Sequence, residues 1–360
     1  MPIKVYIAHD NPYNAGNPYI YTLMDEISSQ HKDICWGWGN ATFWSNDIFQ
    51  YDIIHFQWPQ AFMADENKKH SLEDFLFRIH EVKKKGIKIV ATCHDLRPHY
   101  KQCAEYKEAI SIVYNNADAI LHLGEYSKNI FIKQFPDRLN WILPHHVYDT
   151  IYKKQYTREE SLKKLNLDPN FRYILCLGMF RSTEEQKLII NISKQLKKSN
   201  IKILAPAFME VKHRPHLKFL PTFSQFLQFF YQVKYGIICT GNTWVPVQDE
   251  DIPYYYGAAD IALIHRLKIL NSGNAILPLL FNKIVIGPDV GNVSEILKQE
   301  NLPLFNVKKI NEIGGIIQKA LESSNDVKRN FKYPAVNSTH NAAKKLYEYY
   351  TSLLQQESTL

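Results

Sequence analysis

The residues best suited to chemistry lie between Tyr254 and Glu295, where YYYGAADIALIHRLKILNSGNAILPLLFNKIVIGPDVGNVSE sets small, polar and basic side chains between apolar runs. A loop carrying His265, Arg266 and Lys268 leads into Asn271-Ser272-Gly273-Asn274, which opens a helix. Small residues there let backbone N–H groups approach a ligand, and a helix N-terminus adds positive potential. A nucleoside diphosphate fits that chemistry. The next turn, Pro288 to Val293, brings Gly291 and Asn292 to a second helix start, with Glu295 inside that helix. Upstream, Gly178 and Arg181 end another apolar run, and Lys187 lies on the helix that follows. Cations in such a place stabilise charge developing on a departing phosphate.

The first half of the chain has its own polar outburst. Val90-Ala91-Thr92 runs into Cys93-His94-Asp95-Leu96-Arg97-Pro98-His99. Imidazole ionises near neutrality, so His94 suits proton transfer to or from a bound ligand. A lone histidine would be read as structural, but Asp95, Arg97 and His99 beside it favour function. Gln57 and Trp58 close a further apolar run, where an indole face suits a sugar ring as well as a core. Asn14 and Gly16 sit in a polar loop after the first run. The candidate catalytic residues are His94, Asp95 and Arg181. The family resemblance set out below makes donor-binding candidates of Gly178, Lys187, Arg266, Asn271, Ser272, Gly273, Asn274, Gly291, Asn292 and Glu295, and acceptor-binding candidates of Asn14, Gly16, Gln57, Trp58, Arg97 and His99. Adjacent His145 and His146 point to different sides without a spaced carboxylate, and the five cysteines form no CxxC, so neither metal nor cofactor is expected.

These residues need strands and helices to hold them. Apolar runs at Ile3–Ala8, Ile53–Phe56, Ile87–Thr92, Ala119–Leu123 and Trp141–Leu143 alternate with helical periodicity such as Leu72–Lys84 and Tyr106–Asn115. After a polar, lysine-rich interval the rhythm restarts with strands at Tyr173–Leu177, Ile201–Leu204, Ile237–Cys239, Ile261–Ile264 and Ile284–Ile286, and a helix at Glu184–Leu196. The pattern predicts an α/β chain of two doubly wound, Rossmann-like domains facing a cleft. The expected divisions are 1–150, a linker at 151–170, 171–333, and a C-terminal helix at 334–360 that returns to the first domain. A total of 360 residues suits two cores, and 45% apolar with 22% charged residues describes a globular protein. The net charge of +7 is spread over helix faces such as Lys83-Lys84-Lys85, so no nucleic-acid partner is expected. No leader or spanning segment is read, and scattered cysteines suit a reducing compartment, so the expected location is cytoplasmic. The aromatic stretch Phe219 to Tyr235 reads first as a buried core helix, with an amphipathic patch touching a membrane as the alternative.

In order and spacing, the block from Ala258-Ala259-Asp260 through Ser272-Gly273 and Asn282-Lys283-Ile284-Val285-Ile286 to Gly291-Asn292-Val293-Ser294-Glu295 resembles the donor-site signature of GT-B glycosyltransferases. The resemblance is to the group 1, or family 4, enzymes and to related exopolysaccharide sugar transferases. Gly178 to Arg181 resembles their phosphate clamp, with Glu184 where a lysine is usual. Thr92-Cys93-His94-Asp95 with Pro98-His99, Tyr51-Asp52-Ile53-Ile54-His55 with Trp58-Pro59, Asp118 through Ser127, and Leu143-Pro144-His145 resemble further segments of the same enzymes. Two glutamates usual around the helix start are replaced by Ile269 and Leu277.

The resemblance implies a metal-independent glycosyltransferase of the hexosyltransferase class, with retention of configuration slightly favoured. It implies a nucleotide-sugar donor and a saccharide or lipid-linked saccharide acceptor of cell-surface polysaccharide synthesis. It places Arg181 and the Ser272-Gly273 helix start on the diphosphate, Gly291 and Glu295 on sugar or ribose hydroxyls, and His94 toward the anomeric centre. Three alternatives stand beside it: a sugar-nucleotide epimerase or phosphorylase, an inactive nucleotide-sugar-binding relative, and a basic nucleic-acid binder.

Overall fold

A computed structural model describes residues 2–14, 16–59, 70–95, 104–197, 199–209, 221–239, 247–324 and 329–355. The candidates Arg97 and His99 lie outside them. The chain divides into two compact units, 1–148 with 336–360 and 149–335.

In the first unit the strands are β1 (Ile3–Ala8), β2 (Ile34–Gly37), β3 (Ile53–Phe56), β4 (Lys88–Cys93), β5 (Ala119–His122) and β6 (Leu139–Ile142). They form one parallel sheet in the order β2-β1-β3-β4-β5-β6. Between them run α1 (Tyr19–Gln30), α2 (Asn40–Trp44), α3 (Leu72–Lys84), α4 (Ala104–Asn116) and α5 (Glu125–Gln134). Parallel strands covered on both faces must be apolar throughout, and all four residues of β3 and of β5 are buried. Ser71 and Asp74 start α3 with a reciprocal capping box, so its register is set by local sequence.

The second unit carries β7 (Arg172–Leu175), β8 (Ile201–Leu204), β9 (Ile237–Ile238), β10 (Ile261–Leu263), β11 (Ile284–Pro288) and β12 (Leu304–Phe305). Their order is β12-β11-β10-β7-β8-β9, again all parallel. Its helices are α6 (Arg158–Lys164), α7 (Thr183–Gln195), α8 (Pro221–Tyr235), α9 (Ile252–Ala258), α10 (Gly273–Leu280), α11 (Gly291–Gln299) and α12 (Ile313–Ser323). The interval expected as linker holds α6, which Thr157 and Glu160 begin with a second capping box. After α13 (Lys332–Val336) the chain re-enters the first unit as α14 (Thr339–Gln355), packed on α1 with Leu346, Tyr350 and Leu353 buried.

One device recurs at the amino ends of the strands. Asp52 before β3 accepts the Lys4 N–H at 2.7 Å, Asp118 before β5 accepts that of Ile89 at 2.7 Å, and Asp260 before β10 accepts that of Tyr173 at 2.7 Å. Each carboxylate therefore caps the neighbouring strand and sets its register. Asp52, Asp118 and Asp260 are therefore structural and sit at the strand ends remote from the candidate site residues.

The aromatic stretch needs a correction. From Pro221 on it is helical as α8, but Phe226, Phe229, Phe230 and Val233 are exposed, and none of its described positions is buried. It is not a core helix. Among the described residues no helix is long and apolar enough to cross a membrane.

Candidate functional site

In the second unit the chain goes from β7 to β8 and β9 on one side, then returns past β7 to place β10 on the other. The direction of winding thus reverses between β7 and β10, and open α/β sheets bind ligands beyond the carboxyl ends of the strands at that point. Gly178 and Arg181 follow β7, and Arg266, Asn271, Ser272, Gly273 and Asn274 follow β10. Gly291 and Asn292 follow β11, the next strand out. The reversal therefore gathers most of the donor-binding candidates into one group.

Hydrogen bonds lock these three turns together. The Asn274 side-chain amide donates to the Leu177 carbonyl at 2.6 Å, and its main-chain N–H donates to the Ser272 hydroxyl at 3.2 Å, which caps α10. Gly178 has φ +95°, and a Cβ there would stand 2.6 Å from the Asn274 amide nitrogen, so glycine is required for this approach. Asn292 donates from its side chain to Asn271 Oδ1 at 2.7 Å and from its backbone to the Leu270 carbonyl at 2.9 Å. Gly291, at φ +59°, lies so close to that loop that a Cβ would be 2.6 Å from the Ile269 carbonyl oxygen.

The charge at the site is positive and held in place. Arg266 donates to the Met179 carbonyl at 3.3 Å, linking the β10 and β7 turns. The Arg181 N–H donates to Glu185 Oε2 at 2.7 Å, and Ser182 caps α7 by accepting from the Glu185 N–H at 3.3 Å. Burial raises the Glu185 pKa above the ordinary carboxylate range, although the Arg181 N–H and the charges of Arg266 and Arg181 work against the rise. His265 is fully buried and stacked on Phe180 with ring centres 4.0 Å apart. Burial, then the charges of Arg266 and Arg181, push its pKa down to about 3, so the ring is neutral. Lys187 is exposed, Glu295 is half-buried on α11, and Ile269 and Leu277 are buried apolar positions.

In the first unit His94 lies just beyond β4, buried between Trp58, stacked on it at 4.3 Å, and Tyr19, edge-on at 5.0 Å. His94 Nε2 is 2.8 Å from Gln57 Oε1, and the Gln57 amide nitrogen is 3.1 Å from His55 Nε2. His55 Nε2 also meets Thr92 Oγ1 at 2.8 Å, and its Nδ1 meets the Tyr350 hydroxyl of α14 at 2.6 Å. An amide oxygen only accepts and an amide nitrogen only donates, so each end of Gln57 fixes a tautomer. His94 carries its proton on Nε2, and His55 carries its own on Nδ1. Full burial pushes the His55 pKa down to about 3, which keeps that ring neutral.

Sequence reasoning placed Gln57 as an acceptor contact; the structure places it in the interior, with its amide between two histidines. Asp95 is half-buried directly after His94, and Asn14 and Gly16 are exposed in the loop after β1. Glu185, His265, His55 and Tyr350 were not singled out as site residues. The Ser182-x-x-Glu185 spacing signalled a helix start, but not that the carboxylate would reach the Arg181 N–H. Nothing in the local sequence ties Tyr350 to His55. Among the described residues no cluster of three or more His, Cys, Asp or Glu is placed to hold a metal ion.

No protein-family model matches the chain, and no curated protein matches it. Solved structures do. A glycosyltransferase from Rickettsia africae superposes with a TM-score of 0.67 at 14% identity, over 98% of this chain and 99% of that one. Anabaena HepE, solved with UDP, superposes with a TM-score of 0.63 at 13% identity, over 100% of this chain and 99% of HepE. A candidate UDP-N-acetylglucosamine 2-epimerase from Listeria monocytogenes gives 0.63 at 11% identity, over 99% and 98% of the two chains. Two Rossmann-like units and full-length likeness to such structures define the class: the chain has the GT-B fold.

Proposed function

We propose that the protein is a glycosyltransferase that moves a hexose from a nucleoside diphosphate to a saccharide or lipid-linked saccharide in cell-surface polysaccharide synthesis. The observation that carries the reading is the pair of arginines, Arg181 and Arg266, after the two strands that flank the winding reversal of the second unit. Two cations on turns that join the capped start of α10 suit a diphosphate, which is bound as an anion and leaves with its charge exposed. In this reading the C1–O bond to the diphosphate breaks, the acceptor oxygen forms the new bond to C1, and the acceptor hydroxyl gives up its proton. Gly291, Asn292 and Glu295 serve sugar or ribose hydroxyls, and His94 with Asp95 serves the acceptor. No metal or cofactor is required, because guanidinium groups and a helix end supply the positive charge. HepE, with structures holding UDP and UDP-glucose, supports a nucleotide-sugar ligand for a fold of this kind.

Epimerisation of a sugar nucleotide is a second reading, favoured by the apolar Ile269 and Leu277 and by the likeness to the Listeria protein. A thermal-shift panel of UDP, GDP, ADP and their sugars tests the binding. At least one is expected to raise the unfolding temperature at millimolar concentration, and Arg181→Ala to abolish the rise. If none of the panel binds, the reading is lost. With the stabilising donor, NMR then separates the two reactions: transfer or slow hydrolysis releases nucleoside diphosphate and fixes the product anomer, whereas epimerisation leaves an altered sugar nucleotide.

A further inference from the structure

The outer face of α8 has no part in the donor or acceptor assignments. Phe226, Phe229, Phe230 and Val233 are 62%, 64%, 38% and 69% exposed. At about 100° per residue they fall on one stripe about 100° wide. The opposite side holds the helix to its unit, with Tyr231 edge-on to Phe208 at 5.0 Å. Exposing three phenylalanines and a valine on one helix stripe is costly in water and marks an interaction surface.

The charges that flank the stripe in the sequence, and Lys234 beside it, say what covers it. No aspartate or glutamate occurs from Val211 to Gln248, while Lys212, Arg214, Lys218 and Lys234 fall within that interval, with His213 and His216. Lys234 lies at the border of the stripe, its ammonium 5.0 Å from the Phe230 ring centre and 5.4 Å from that of Tyr235. Two copies meeting through this surface would set like charges against each other. An anionic lipid headgroup layer over a hydrocarbon interior meets both needs: it pairs with the cations and takes up the rings.

We propose that α8 is a membrane-surface helix, inserting Phe226, Phe229, Phe230 and Val233 at the boundary between headgroups and acyl chains of an anionic bilayer. The helix then lies in the membrane surface. This surface stands apart from the transferase reading, since a protein that binds vesicles but no nucleoside diphosphate keeps the surface and loses that function.

The 360-residue protein is mixed with vesicles of phosphatidylcholine alone or with added phosphatidylglycerol, and sedimentation reports the bound fraction. Binding is expected on the anionic vesicles, with marked weakening on neutral ones and at high salt. The double variant Phe226→Ser/Phe229→Ser alters exposed positions only and is expected to keep the parent's thermal midpoint. It should partition about a hundredfold less, about tenfold for each ring withdrawn from the bilayer. The single variant Phe229→Trp is expected to bind and to shift its added emission to the blue on anionic vesicles. Equal binding by parent and double variant overturns the proposal, as does an unshifted Phe229→Trp signal. A dimer that the double variant dissolves, in protein that ignores the vesicles, assigns the stripe to a second copy instead.

Discussion

At the scale of single residues, two positions separate a chemical from a purely structural role. The Gln57 amide fixes the proton of His94 on Nε2, so His94 offers only Nδ1 as a base. If His94 serves the acceptor, His94→Ala is expected to lower transfer about a hundredfold or more. Gln57→Met, similar in bulk, removes the amide and is expected to lower kcat about tenfold with the donor KM unchanged, while displacing the acidic limb of the pH–rate profile. Release of nucleoside diphosphate measures both; an unmoved pH profile in Gln57→Met would leave the amide as packing alone. Gly291 is the second position. Its Cβ would meet main-chain oxygen in a backbone region that disfavours other residues. Gly291→Ala is therefore expected to destabilise the second unit by about 3 kcal/mol, read as a lower urea midpoint.

At the scale of elements, the two ends of one strand do different work. Before β10, Asp260 accepts the Tyr173 N–H and lies 3.2 Å from Arg172 and 3.5 Å from Arg158. After it, Ser272 caps α10. Asp260→Ala removes the acceptor of a backbone donor and the counter-charge of two arginines, and is expected to cost about 2 kcal/mol of stability with nucleotide affinity intact. Ser272→Ala is expected to cost about 1 kcal/mol and to weaken nucleotide binding as well, because it removes the cap at the candidate phosphate site. Denaturation and nucleotide titration of the two variants side by side check this. Loss of affinity in Asp260→Ala but not in Ser272→Ala would put the ligand at the wrong ends of the strands.

At the scale of the molecule, buried imidazoles make stability depend on pH. Burial pushes His55 and His265 down to about 3 and His145 and His122 down to about 4, and it holds His146 well below its ordinary value. Above about pH 6.5 these rings are neutral in both folded and unfolded chains, so nothing is lost. Below it the unfolded chain binds protons that the folded rings refuse. Stability therefore falls as the pH falls, by up to about 1.4 kcal/mol per ring for each pH unit until the folded value is reached. Because such rings occur in both units, the urea midpoint of each is expected to drop between about pH 7.5 and about pH 5.5. A midpoint that holds steady over that interval would mean the rings are solvated.

What the sequence determined by itself was whatever rests on neighbours in the chain. Ile3–Ala8, Ile53–Phe56, Leu72–Lys84 and Ile201–Leu204 are the observed elements to the residue, because strand and helix periods and the Ser71 cap are local. The edge strands β2 and β12 were not read from the sequence. Only the tertiary structure decided partners and exposure. Asn274 reaches Leu177 across 97 residues and Tyr350 reaches His55 across 295, contacts set by strand order and by the return of α14. The stripe on α8 reads the same in sequence whether it faces a core or water, since amphipathic spacing marks a face without saying what lies against it.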